Sequence, residues 1–260
     1  MRPTVTIAEQ FRGPPSSGNG GYVSGVFAAQ LAHAYNPPTC NYPPTCKRDA
    51  LQVTLRAPTP LDQSLQIVPQ DADHLQVWDS ATLVAEIART VLDIDPPPAP
   101  SFAQALAHRD ASPAFTAGIN PLIPNGVGFH PICFCCGADV PEGEGLRVFA
   151  APVDGFEGVA AAWHPHPSFY NEAGVLAPAI IWAALDCPGQ FAYYAAGIRT
   201  GMLGRMTARL LAPVQADDDL VITGWRMQVE GKKHFAGTAL FDSSGKCCAI
   251  SKQVWIGRHD

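Results

Sequence analysis

Residues 55–65 read LRAPTPLDQSL, and residues 210–220 read LLAPVQADDDL. Both segments place Leu, Ala-Pro, Asp and Leu at corresponding positions, with a constant offset of 155 residues between 55 and 210. A weaker match follows, WDS at 78–80 and FDS at 241–243, and each leads into an apolar segment, 82–94 or 246–256. Self-similarity at a fixed offset indicates a duplicated structural unit. The repeat therefore predicts two similar halves.

Each half has the same predicted order of elements. An apolar helix candidate precedes each repeated segment, at 20–35 and at 174–196, and small residues stand at both predicted helix starts. A short strand is predicted before each helix and four strands after it, from alternation and β-branched content. Residues 95–122, rich in Pro and Ala, are typical of a linker. We expect an N-terminal domain at 1–95, a linker at 96–124 and a C-terminal domain at 125–260.

Composition narrows the class of protein. Of 260 residues, 47% are hydrophobic and 15% charged, which favours a well-buried globular core over disorder. The net charge of -6 offers no basic field to a polyanion, so nucleic acid is not an expected partner. The longest apolar stretch, 173–187, is too short to span a bilayer and contains Pro178 and Asp186. We predict a cytoplasmic protein that does not contact membranes.

One helix wrapped by a sheet of about five strands leaves an open sheet edge, which a tandem copy could cover. Gly20 and Gly21 open the first helix, and Pro58 and Pro213 follow corresponding strands. This order resembles the double hotdog of acyl-CoA thioesterases and is similar to bacterial thioesterase II. The resemblance implies an α+β tandem hotdog that hydrolyses acyl-CoA in lipid metabolism. It also implies no cofactor and a homo-oligomeric assembly.

Asp186 is the only charged residue in the second helix candidate, GVLAPAIIWAALDCPGQFAYYA. A carboxylate there pays a desolvation cost unless it is hydrogen-bonded or used, and burial raises its pKa towards the range of a general base. Alternatively, Asp186 caps the turn at Pro188 and Gly189. The helix at 20–35 has no carboxylate, which predicts one chemical site for the two halves.

The resemblance implies two partners for this base. In thioesterase II-like enzymes a Thr or Ser and a Gln hold the attacking water with the Asp, and the matching positions here are Thr207 and Gln253. The alternative for both is a strand residue that faces solvent. The position in the first half that aligns with Gln253 lies near Arg89.

The start of the first helix is the second candidate for chemistry. The N–H groups of Gly20 and Gly21 lie at a positive helix end and could polarise a thioester carbonyl as an oxyanion hole. Equally, the two glycines could only permit close packing, and Asn19 could serve only as a helix cap. The acyl chain is expected between the two helices, along the aromatic residues Phe27, Trp182 and Phe191.

Two further segments have distinctive compositions, one rich in cysteine and one rich in proline. Cys133 and Cys136 form a C-x-x-C pair, half of a zinc motif, but no second pair follows at a common spacing. We therefore predict a cluster of buried free thiols and no metal. The near-duplicate NPPTC and NYPPTC at 36–46 predicts an extended, polyproline-like loop.

Several common catalytic motifs are missing from the sequence. The chain has no P-loop, GxGxxG, GxSxG or HExxH pattern, which disfavours serine-hydrolase chemistry and favours attack by water. Two alternatives remain beside hydrolysis: a hotdog that binds an acyl or aromatic thioester without turnover, and an enoyl-thioester hydratase.

Overall fold

The computed structural model describes residues 3–35, 50–116, 130–216 and 219–257, with side chains omitted at 32–35. The predicted loop at 36–46 lies outside these ranges. The described chain contains the following elements in order: β1 (Thr4–Thr6), α1 (Gly20–Tyr35), β2 (Ala50–Leu55), β3 (Ser64–Pro69), β4 (His74–Asp79), β5 (Thr82–Thr90), α2 (Phe102–Ala107), β6 (Ala151–Pro152), β7 (Val159–Trp163), α3 (Pro178–Ala184), α4 (Asp186–Tyr194), β8 (Met202–Leu210), β9 (Leu220–Glu230), β10 (Lys233–Phe241) and β11 (Cys247–Ile256).

All these strands belong to one antiparallel sheet, in the order β1-β3-β4-β5-β2-β8-β11-β10-β9-β7-β6. The strands of the first half therefore lie on one side and those of the second half on the other. They meet where β2 pairs with β8, and Gln52 lies opposite Thr207 at this junction. These two residues are separated by 155 positions, the offset of the sequence repeat. Equivalent strands of the two repeats thus face each other at the centre of the sheet.

The repeat also predicts the ends and alignment of strands. Its first leucines, Leu55 and Leu210, are the last residues of β2 and β8. Arg89 lies opposite Leu51 in the first half, as Gln253 lies opposite Met206 in the second, which confirms the alignment of these positions. The first helix occupies the predicted residues, Gly20–Tyr35.

The single helix predicted at 174–196 is wrong, because the structure contains two shorter helices. α3 ends at Ala184 and α4 begins at Asp186. Pro188 explains the interruption: it has no N–H to donate to the carbonyl of Ala184, four residues earlier, and its ring crowds that carbonyl. The break places Asp186 in the first turn of a helix rather than in the middle of one.

The predicted start of this helix is also wrong. Residues 171–174 form a turn in which the side chain of Asn171 accepts hydrogen bonds from the N–H groups of Ala173 and Val175, each at 3.0 Å. Gly174 adopts φ +69°, a left-handed conformation that favours glycine. Helix α3 begins only at Pro178, a residue suited to the first helical position.

Helices α1 and α3 lie in direct contact through glycine. A Cβ atom on Gly25 would lie 2.7 Å from Cα of Ala179 and 2.8 Å from Cβ of Trp182. A Cβ atom on Gly21 would lie 2.5 Å from the carbonyl oxygen of Trp182. At these two positions the helix backbones approach so closely that a larger residue would collide with α3, so Gly21 has the packing role that the sequence offers as one of its two alternatives.

Substitution of Gly25 by alanine is expected to lower the free energy of unfolding by about 1–3 kcal/mol, the usual effect of overpacking. The new methyl group would meet the backbone of α3, and the resulting displacement outweighs the better helix propensity of alanine. Urea unfolding measures the change. The control is Gly204→Ala, whose Cβ would lie 2.9 Å from Cγ1 of the Ile256 side chain but 3.6 Å from the nearest backbone atom, the carbonyl oxygen of Val254. Equal stability of both variants would contradict the close helix contact.

The segment between the halves is more than an extended connection. Within 96–124 it forms α2 and short 3-10 turns, and it contributes Phe102 and Ala105 to a second hydrophobic cluster. That cluster includes Val221 and Phe241 and lies on the face of the sheet opposite α1, α3 and α4. The division into two domains stays a prediction. Among the described residues, no helix has both the length and the hydropathy required to cross a bilayer.

Candidate active site

A cavity of about 240 Å³ lies where the start of α1 meets the start of α4. Asn19 and Gly20 at the start of α1 and Asp186 at the start of α4 border it, so both halves contribute to its polar wall. Its apolar lining includes Leu55, Pro58, Met202, Leu203, Trp255 and Ile256. The cavity thus combines a buried carboxyl group, a helix start and an apolar surface.

Asp186 is buried, with 3% of its surface exposed, as the sequence predicts. Its Oδ2 accepts hydrogen bonds from Asn19 Nδ2 at 2.7 Å and from the N–H of Gly21 at 3.0 Å. Both donors belong to the start of α1, and neither belongs to the turn at Pro188 and Gly189 that Asp186 was alternatively expected to cap. Its Oδ1 is buried and has no hydrogen-bond partner among the described residues.

Opposing effects act on the pKa of Asp186. Burial raises the pKa well above its usual range, because desolvation penalises the charged form. The neighbouring thiol groups of Cys135 and Cys133 raise it further, whereas the hydrogen bonds from Gly21 and Asn19 lower it. Burial is the largest of these contributions.

Asn19 has two functions, of which the sequence predicts only one. Its Oδ1 accepts a hydrogen bond from the N–H of Tyr22 at 2.9 Å, as in a helix cap. Its Nδ2 donates to Asp186 and also approaches Cys133 Sγ at 3.6 Å. The cap therefore ties the first half to the carboxyl group of the second. Among the described residues, no acceptor is found for the N–H of Gly20, which borders the cavity.

Thr207 does not reach this site, which corrects the predicted trio. On β11, Gln253 lies opposite Met206 of β8, so these two side chains share the face that carries the helices. Thr207 is the next residue along β8 and points to the other face. There its Oγ1 donates to Gln52 Oε1 at 3.4 Å, across the junction of the two halves.

Gln253 lies near Asp186 but is occupied by structural contacts, so the expectation that it faces the water is not met either. Its Nε2 donates to the carbonyl oxygen of Leu185, and its Oε1 accepts from Trp255 Nε1 at 2.8 Å. The residue is fully buried and does not border the cavity. Its contact with Leu185 instead holds the backbone immediately before Asp186.

The three aromatic residues expected along the acyl chain lie away from this cavity. Phe27, Trp182 and Phe191 are all buried in the main core and do not border the cavity. Near Trp182, α1 and α3 are in close contact through Gly21 and Gly25. The apolar lining of the cavity comes instead from strand residues and the loop after β2, such as Leu55, Leu203 and Trp255.

Three buried cysteines border the same cavity: Cys133, Cys136 and Cys187. The sequence predicts the first two as buried thiols, and the structure confirms that both are buried and form no disulfide. The sequence does not indicate that Cys187 belongs to the same cluster, because this residue lies 51 positions beyond Cys136 (187 minus 136). The one feature of the sequence that could have placed Cys187 near the site is that it directly follows Asp186. His130 also borders the cavity, and burial lowers its pKa.

The pKa values of the clustered thiols depend on one another. Hydrogen bonds with the thiols of Cys136 and Cys187 hold the pKa of Cys133 well below its usual value. The pKa of Cys136 is raised by burial, and that of Cys187 is raised by the hydrogen bonds with its thiol neighbours and by burial.

Neither a protein-family model nor a curated protein matches this chain. Several solved structures, however, match this chain. The tesB protein of Mycobacterium avium subspecies paratuberculosis has a TM-score of 0.60 and 11% identity, over 98% of this chain and 92% of that one. A candidate thioesterase II of Thermobifida fusca has a TM-score of 0.59 and 12% identity, over 97% and 92%.

A hot dog fold protein of unknown function from Alicyclobacillus acidocaldarius is a further match, with a TM-score of 0.54 and 11% identity over 99% of this chain and 93% of that one. Identities this low are informative about fold alone. These matches confirm the predicted resemblance in fold: the chain has a hotdog fold over nearly the whole length of each of these proteins.

Proposed function

We propose that the chain is a thioester hydrolase of tandem hotdog architecture, with its single active site in the cavity between α1 and α4. The observation that carries the proposal is the buried carboxyl group of Asp186, held by the start of α1 beside the N–H of Gly20, which has no acceptor within the described part of the chain. A helix start supplies positive potential and N–H donors, and the opposing helix supplies a proton acceptor. Both groups are needed for attack by water on a carbonyl carbon.

The proposed mechanism uses the two oxygens of Asp186 differently. Asn19 and Gly21 hold Oδ2, which leaves Oδ1 to accept a proton from a water molecule. The resulting hydroxide attacks the thioester carbonyl carbon, and the N–H of Gly20 donates to the carbonyl oxygen as negative charge develops there. When the C–S bond breaks, the proton on Asp186 passes to the leaving thiolate. A base of this kind contributes about 10²- to 10⁴-fold to the rate.

The proposed substrate is an acyl-CoA. The acyl group would lie on the apolar wall that includes Leu55, Leu203 and Trp255. The thioester would lie beside Asp186, and the nucleotide end of CoA would remain at the surface. Cytoplasmic location and homo-oligomeric assembly stay predictions, and they accompany this proposal without carrying it.

A panel of acyl-CoA esters, from acetyl to palmitoyl and including benzoyl and crotonyl, tests the proposal. We expect wild-type protein to release free CoA from at least one ester, measured by chromatography because the protein's own thiols would interfere with a thiol reagent. Binding without release across the panel would identify a thioester-binding protein instead. Loss of the enoyl absorbance of crotonyl-CoA without CoA release would identify a hydratase.

A further inference from the structure

We propose that Cys133, Cys136 and Cys187 bind one Zn²⁺ ion through their thiolates, at the wall of the cavity. The three Sγ atoms all lie within 4.8 Å of one another and all belong to buried residues. Thiolates are strong ligands for zinc, and three sulphur atoms grouped this closely form one face of a tetrahedral site. The site goes beyond hydrolysis and does not depend on it.

The spacing of the sulphur atoms fits a zinc tetrahedron. Cys133 Sγ and Cys187 Sγ are 3.8 Å apart. With Zn–S bonds of about 2.3 Å, the edge of a regular tetrahedron of sulphur atoms measures about 3.8 Å. An ion could therefore enter without moving these two side chains apart, provided that the thiols lose their protons to solvent on binding.

The backbone presents two of the three ligands from one tight turn. The N–H of Gly137 donates to the carbonyl oxygen of Cys133 at 2.7 Å, which closes the turn around the C-x-x-C segment. A Cβ atom on Gly137 would lie 2.5 Å from that same oxygen, so the turn requires glycine. Such a turn, with two cysteines followed by glycine, is half of a zinc-binding motif. Cys187, on the first turn of α4, supplies the ligand that the sequence spacing could not reveal.

Two neighbouring features favour an ion over an inert group of thiols. The side-chain amide of Asn19 approaches Cys133 Sγ at 3.6 Å, the kind of donor that stabilises and orients a metal-bound ligand. All three cysteines also border the cavity, which leaves room for a water molecule as the fourth ligand. The ion would join the loop before β6 to α4 and fix the position of Asn19 between them.

Metal analysis of the intact protein, purified under reducing conditions without chelators, tests this proposal. We expect one zinc per chain after desalting, and we expect Co²⁺, added in its place, to give the intense near-ultraviolet band of cobalt–thiolate bonds. A strong chelator should remove the ion and lower the Tm of the wild-type protein. These readouts involve no thioester, so their failure is distinguishable from failure of the proposed hydrolysis.

Single variants assign the ligands. Cys133→Ser and Cys187→Ser should each lose the zinc, whereas Cys248→Ser should retain it, because Cys248 is a buried free thiol that contacts Asp242 instead. Wild-type protein that binds neither zinc nor cobalt would overturn the proposal even if the variants failed to fold. A disulfide between Cys133 and Cys187 in freshly reduced and metal-supplied protein, or retention of zinc in Cys187→Ser, would also overturn it.

Discussion

Asp186→Asn is expected to lower kcat/KM for thioester hydrolysis by about 10²- to 10⁴-fold, the contribution of a general base. An asparagine side chain has nearly the same shape, and its oxygen can still accept the hydrogen bonds that Asn19 and Gly21 now donate to Oδ2. It cannot take a proton from water. Steady-state CoA release measures the loss, and circular dichroism with urea unfolding establishes that the variant is folded.

The matched control for this variant is Thr207→Val. The resemblance to thioesterase II implies that Thr207 holds the attacking water, but in this chain it lies on the opposite face of the sheet and contacts Gln52. We therefore expect Thr207→Val to keep turnover within a few-fold of wild type. Full activity of Asp186→Asn would show that another group is the base. Loss of activity in Thr207→Val without loss of stability would show that the register of β8 differs from the one described.

Gln253→Leu is expected to lower the free energy of unfolding by about 2–4 kcal/mol, because each buried polar group left unpaired costs about 1–3 kcal/mol. The substitution would leave the carbonyl oxygen of Leu185 and Nε1 of Trp255 without their present partners. Urea unfolding measures the change. Gln228→Leu, the same substitution at an exposed position of β9, should change stability by less than about 0.5 kcal/mol.

The same variant separates two roles for Gln253. A positioning role predicts reduced stability together with residual turnover in the folded fraction, because Gln253 holds the backbone before Asp186 and does not border the cavity. Direct contact with the attacking water predicts the reverse, a stable protein with turnover lowered about 100-fold or more. Activity at low temperature, where the variant is folded, distinguishes them.

The repeat predicted the architecture well because it constrains positions on both halves at once. A constant offset between Leu55 and Leu210 specified where β2 and β8 end, and the drifted offset after the loops still aligned Gln253 with Arg89. Asp186 was predictable for a similar reason: a lone carboxylate in an apolar segment is costly to bury without partners.

The rest of the site could not be predicted, because it depends on which face of a strand a residue occupies and on contacts between segments that are distant in the sequence. Side chains alternate along a strand, so a shift of one residue between Met206 and Thr207 moves a group from the helix face to the opposite face. No periodicity in the sequence distinguishes two such neighbours in a strand buried on both faces. The approach of Cys187 to Cys133, and of Asn19 to Asp186, likewise depends on how α1 and α4 meet.

The pairing of β2 with β8 has a consequence for biosynthesis. Until β8 is made, β2 has a bare edge, because its partner on that side is encoded 155 residues later. An uncovered edge is a template for pairing with other chains, and contacts between distant segments form slowly. The first half, synthesised alone, should therefore aggregate readily, and chaperone assistance would be most valuable during the interval before the second half emerges from the ribosome.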